Sequence, residues 1–113
     1  MFQLICFIEA AHYVIEPLNT LCGKGMIDNL SECQKVAKQL NIYFDGEENE
    51  KDFPGGCYVT GTLNYAKDDI TNVGVYFNKN LKGASDKLSK PICGQGKYDK
   101  YISQFSCFDI NDV

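Results

Sequence analysis

Residues 31–57, SECQKVAKQLNIYFDGEENEKDFPGGC, decide the fold. Cys33, Val36, Ala37 and Leu40 fall at i, i+3, i+4 and i+7, which makes one apolar stripe on a helix, with Lys35, Lys38 and Gln39 facing water. Ser31 followed by Gln34 fits a capping box, and Asn29 is a rival N-cap. A helix of about three turns is too short to persist alone, so packing and its cysteine must hold it. Ile42, Tyr43 and Phe44 read as a brief strand or edge. The run Asp45 to Asp52 lacks the alternating ligands and trailing glutamate of a calcium loop, so a solvated loop is expected. Phe53-Pro54-Gly55-Gly56 is a turn. It delivers CYVTGTLNY as a strand, with Cys57, Val59 and Gly61 on one face and Tyr58, Thr60 and Thr62 on the other. The stretch therefore predicts a helix stapled to a sheet.

Working outward, residues 73–78, VGVYFN, predict the next strand, antiparallel to the one before, with AKDDITN as the connecting loop. Residues 79–90 read as a polar loop, and Pro91-Ile92-Cys93 as an extended end. At the other end, residues 2–8, FQLICFI, are dense in β-formers and predict a strand, followed by a short one at Tyr13-Val14-Ile15. So apolar a strand must be covered, by its own domain or by adding to a neighbouring subunit's sheet. Phe2, Leu4 and Phe7 are candidate subunit contacts on that strand. In the tail, Tyr98, Tyr101 and Phe105 suit a helix, while Phe105, Cys107 and Asp109 suit a strand; a short strand is expected. The fold class is α+β, one short helix on an antiparallel sheet of four to five strands. The 113 residues suit one domain, 1–113, with a core module at 22–93, an apolar N-terminal segment at 1–16 and a C-terminal segment at 94–113.

A net charge of −4 argues against nucleic acid and anionic membrane surfaces, both of which select basic patches. Residues 1–17 lack a basic start, and Glu9 and His12 interrupt the apolar run, so they make a poor signal peptide and no membrane span.

Six cysteines, Cys6, Cys22, Cys33, Cys57, Cys93 and Cys107, are widely spaced, with no CxxC pair and a single histidine. Zinc sites and thioredoxin-type redox motifs need closer spacing. A disulfide framework in an oxidising compartment is therefore expected. Six cysteines allow fifteen connectivities, and sequence alone does not choose among them. Geometry supplies a preference. Cys33 faces inward from the helix and Cys57 starts a strand, Cys22 and Cys93 bracket the central unit, and Cys6 and Cys107 would tie the two ends.

Catalytic chemistry finds little to stand on. His12 is the sole histidine, Asp68-Asp69 reads as a solvated turn, and no nucleophile elbow, phosphate loop or metal cluster occurs. The expectation is a protein that is not an enzyme and carries no metal or cofactor. Asn29-Leu30-Ser31 is an N-glycosylation triplet, with helix capping the competing role for Asn29. Tyr58, Tyr65 and Tyr76 with Asn64 and Asn78 could make an aromatic-polar sugar platform or be ordinary half-buried strand residues; Tyr58 and Tyr76 are its candidate contacts.

The pattern C…I-x-x-x-S-E-C-x-x-x-A-x-x-L-x-I, then P-x-G-C-Y, then V-Y-F-N…G, then P-I-C, spans Cys22 to Cys93. It resembles a small cysteine-rich extracellular module of secreted and surface proteins in algae, protists and some simple animals, and is distantly similar to PAN/apple domains. The matching positions are Cys33, Ala37, Leu40, Pro54, Gly56, Cys57, Tyr58, Val75, Tyr76, Phe77, Asn78, Pro91, Ile92 and Cys93. The resemblance implies a helix disulfide-bonded to a curled antiparallel sheet and a non-catalytic adhesion, carbohydrate-binding or matrix role. The added apolar, cysteine-bearing flanks suit a self-assembling subunit. The expected function is a structural or interaction subunit of an extracellular or cell-surface assembly, filament-forming through N-terminal strand exchange, with itself or other surface proteins as partners. A secreted lectin-like module that binds glycans is the alternative, and a secreted inhibitor or toxin is a third reading.

Overall fold

The computed structural model describes residues 4–8, 13–94 and 105–109, the two outer segments as backbone only. The helix α1 (Leu30–Leu40) is set by its caps. Asn29 stands in extended backbone and its Oδ1 accepts from the Glu32 amide at 2.8 Å, while its Nδ2 donates to the Glu32 carboxylate at 3.2 Å. Asn29 is thus the N-cap, and Ser31 lies inside the first turn, correcting the Ser31 capping box. The acidic partner three residues on is Glu32, whose charge also suits a helix start. At the other end Asn41 takes the left-handed region (φ 57°), one of the few residues that does so readily. The Asn41 amide donates to Lys38 and the Ile42 amide to Ala37, satisfying two terminal carbonyls in a Schellman arrangement.

Five strands form the main sheet in the order β2 (Tyr13–Ile15), β6 (Ser89–Gly94), β4 (Gly56–Asn64), β5 (Asp69–Asn78), β3 (Phe44–Glu48). Every pairing is antiparallel except β3 with β5. The start of the acidic run is therefore an edge strand rather than a solvated loop. Its burial alternates, with Phe44, Gly46 and Glu48 half-buried and Asp45 and Glu47 exposed. That period of two is legible beneath the charge. The β4–β5 hairpin is also longer than predicted, since β5 begins at Asp69. A separate antiparallel ladder joins β1 (Leu4–Ile8) to β7 (Phe105–Asp109).

The core lies between α1 and one face of the sheet. Cys33, Val36 and Ala37 of the helix meet Cys57, Val59, Val75, Phe77 and Ile92, with Ile27 of the preceding loop completing the cluster. Burying each aliphatic side chain contributes about 1.5–3 kcal/mol. Cys33 is bonded to Cys57, Cα atoms 5.3 Å apart, which pins helix to sheet. Cys22 is bonded to Cys93, Cα atoms 5.8 Å apart, which pins the loop before α1 to β6. Beside that bond Met26 bridges to Cys93 and the Gly94 amide donates to Gly25. A side chain on Gly25 (φ 76°) would run into the Gly94 carbonyl, so the close approach requires glycine there.

Candidate functional site

The face of β4 turned away from α1 carries Tyr58, 1% exposed. Its ring stacks between Phe53 (centroids 6.1 Å) and Tyr76 (5.8 Å). Its hydroxyl donates to the Glu48 carboxylate on β3, two strands away in the sheet order. Burial pushes the Tyr58 hydroxyl far above its ordinary range, and the Glu48 hydrogen bond and charge add to the effect. Tyr76 is half-buried and raised as well, by burial first and then by Asp45 and Glu48. The Asp45 carboxylate lies over Gly74, in the space a Cβ would fill. This face thus presents one partly open aromatic ring beside exposed Asp45, with a second ring sealed beneath.

Asn78 ends β5 wholly buried and organises the rim of that face. Its Oδ1 accepts from the amides of Glu50 (2.9 Å) and Asn80 (3.1 Å). Its Nδ2 donates to the carbonyls of Glu50 (2.7 Å), Pro54 (3.0 Å) and Phe53 (3.1 Å). One side chain therefore holds the loop that sets Phe53 on Tyr58. Against the helix start, Tyr13 of β2 donates to Glu32 at 3.3 Å, and burial followed by the Glu32 charge raises its hydroxyl.

The aromatic-polar platform is not assembled. Tyr58 is covered, so its ring cannot stack on a sugar. Tyr65 is 88% exposed, but it sits at the hairpin tip, about 20 Å along β4 from the Tyr58 level at the strand rise of about 3.3 Å per residue. Asn64 accepts from the Ala66 amide in that turn, and Asn78 is committed inward. On the Tyr58 face of the sheet, only Tyr76 of the proposed platform keeps a partly accessible ring. Of the other sites, Asn29 is exposed at the helix start. Cys6 lies opposite Cys107 in the β1–β7 register. Leu4 and Phe7 lie on β1, known here by its backbone; Phe2 and His12 fall outside the described residues.

A second feature is an open cleft of about 760 Å³ between the loop after β2, the β4–β5 turn and the segment before β6. Leu18, Leu63 and Leu88 line it, with Asp68, Asp86 and Lys87 at its margin. Nearby, Lys90 bonds Asp69 at 2.7 Å and, with the Ile70 amide, holds that carboxyl below its usual range.

Sequence reasoning missed Glu48 and Glu32 as hydrogen-bond partners. The signals were the alternation Phe44-Gly46-Glu48 and the Asn29…Glu32 spacing.

Among the described residues no group of three histidine, cysteine or acidic side chains could hold a metal ion, and no helix is long and apolar enough to cross a membrane. The fold and its cross-links define a small α+β domain stapled by disulfides. No protein-family model, curated protein or solved structure matches the chain.

Proposed function

We propose that this chain is a non-catalytic structural or interaction subunit of an extracellular or cell-surface assembly, joined to further copies or other surface proteins through its N-terminal strand. One observation carries the reading: β1 and β7 make a ladder of their own, outside the five-stranded sheet. A two-stranded ladder is marginal in water without further strands, packing or a cross-link. Its outer edges are templates for another chain. Exchange of β1 between copies would preserve the same register, Leu4 opposite Asp109 through Ile8 opposite Phe105, and a repeated exchange builds a filament. The disulfides Cys22–Cys93 and Cys33–Cys57 are compatible with an oxidising, extracellular setting.

Light scattering on the full chain across a concentration series tests this, beside a chain lacking residues 1–12. The expected result is concentration-dependent assembly of the full chain and a folded monomer after the deletion. A full chain that stays monomeric at high concentration would remove the proposal. The lectin-like reading draws on Tyr76 beside Asp45, an aromatic face with an adjacent acceptor. Loss of glycan-array binding in Tyr76→Ala would favour it over assembly.

A further inference from the structure

Capping and glycosylation compete for Asn29 only if they use the same atom, and they do not. The cap is made by Oδ1, which accepts from the Glu32 amide at 2.8 Å and the Ser31 hydroxyl at 3.1 Å. The opposite side of the amide, Nδ2, carries two hydrogens and, among the described residues, donates one hydrogen bond, to Glu32 Oε2 at 3.2 Å. Asn29 and Ser31 are both exposed, and Asn29-Leu30-Ser31 is the only Asn-x-Ser/Thr triplet in the sequence.

We infer that Asn29 is the single N-glycan acceptor of this chain, and that the glycosylated residue still caps α1 through Oδ1. The inference rests on the exported reading above. In the transfer, Nδ2 bonds to the anomeric carbon of a lipid-diphosphate-linked oligosaccharide. The bond from that carbon to the diphosphate breaks, and the displaced diphosphate takes up the proton lost from Nδ2. One hydrogen stays on Nδ2, and Oδ1 is untouched. Residues 30 and 31 become helical on folding, so the triplet is presented to the transferase before α1 closes. The glycan then stands at the N-terminus of α1, on the side of the domain where Tyr13 meets Glu32. Strand exchange through β1 has to leave that corner open.

The test is the intact mass of the full chain, directed by an added leader through a eukaryotic secretory pathway, before and after an amidase that removes N-glycans and leaves aspartate. The variants are Ser31→Thr, Ser31→Ala and Asn29→Asp. Wild type and Ser31→Thr should each lose one glycan mass to the amidase. Ser31→Ala and Asn29→Asp should carry none. Ser31→Ala leaves Asn29 unmodified as the cap, so glycosylated wild type should melt no lower than Ser31→Ala, and a lower melting temperature would overturn capping through Oδ1 by the glycosylated residue. An exported, disulfide-bonded wild type with no amidase-sensitive mass would overturn the glycan and leave the exported reading standing. Alkylatable thiols at Cys33 and Cys57 in protein purified from its natural source would instead overturn the exported reading, and the glycan with it.

Discussion

The hydroxyl of Tyr58 on β4 donates to the carboxylate of Glu48 on β3 across the intervening strand β5. This bond ties the parallel edge strand to the centre of the sheet. Tyr58→Phe keeps the ring stack and removes the donor, leaving Glu48 half-buried and unpaired. The expected cost is about 1–3 kcal/mol, read as a lower denaturant midpoint at pH 7. Tyr58→Ala also empties the space between Phe53 and Tyr76, and about 3–5 kcal/mol is expected.

The same bond sets an alkaline limit. The folded-state pKa of Tyr58 lies above the unfolded value, so its contribution is fully present below about pH 10 and is lost as pH rises from there toward the folded value. Within that window the unfolded chain has released a proton that the folded chain still holds. Stability then falls with a slope approaching about 1.4 kcal/mol per pH unit. Tyr13 and Tyr76 are raised too and add in the same direction. Subtracting the Tyr58→Phe curve from wild type isolates the Tyr58 part. Parallel curves from pH 9 to 11 would contradict it.

Asn78 makes an unusual demand for an amide, with both oxygen and nitrogen used on backbone groups of one loop. Asn78→Asp keeps the acceptor but turns an oxygen toward the carbonyls of Glu50 and Pro54. A neutral aspartic acid can donate one hydrogen there and a carboxylate none. Asn78→Asp should therefore be less stable than wild type at pH 7 and recover part of the loss on acidification, as the carboxyl protonates. Hydrogen exchange should locate the loosening at residues 49–55. Equal loss at pH 4 and pH 7 would show that charge is not the cause.

The disulfides Cys33–Cys57 and Cys22–Cys93 act at different sequence separations, 24 and 71 residues. On loop-closure entropy alone they contribute about 3.5 and about 4.5 kcal/mol. Replacing Cys33 and Cys57 by alanine together should lower stability by about that amount and weaken the far-ultraviolet signal of α1, which is too short to persist unaided. Replacing Cys22 and Cys93 should spare the helix and free the loop before it. Circular dichroism with peptide-resolved hydrogen exchange distinguishes the two.

Much of this arrangement was legible because helix and hairpin carry clean periods. The stripe Cys33, Val36, Ala37 is buried and Lys35, Lys38 and Gln39 are exposed, as a period near 3.6 requires. In the first half of β4 Cys57 and Val59 reach the core while Tyr58 turns away, and only beyond Thr60 does a register shift against β5 break the alternation expected through Thr62. The parallel pairing of β3 with β5 was not legible, because it depends on where α1 returns the chain and because charges at Asp45 and Glu47 mask the half-buried alternate positions. The sugar platform failed for a related reason. Residues on one strand face share a direction and not an exposure, and the loop at 49–55 that covers Tyr58 is placed by a buried amide rather than by any local pattern.

Three glycines offer the last test, because the atoms crowding them differ in what they can do. At Gly74 an added Cβ meets the Asp45 carboxylate, the end of an exposed side chain that can swing into solvent. Although Gly74 is buried, its obstacle is the movable end of an exposed side chain, so Gly74→Ala should cost less than about 1 kcal/mol. It should still move Asp45 off Tyr76, so the Tyr76 hydroxyl titrates closer to its ordinary range in an ultraviolet titration. At Gly55 the added Cβ meets the Leu81 backbone at 2.7 Å, and at Gly83 it meets the Phe53 carbonyl. Neither obstacle can turn aside, because the loops at 49–55 and 79–88 are pressed together over Asn78. Gly55→Ala and Gly83→Ala should each cost about 1–3 kcal/mol, the range for overpacking a tight interior. Similar losses at all three positions would mean that Asp45 is held over Gly74 more firmly than an exposed carboxylate should be.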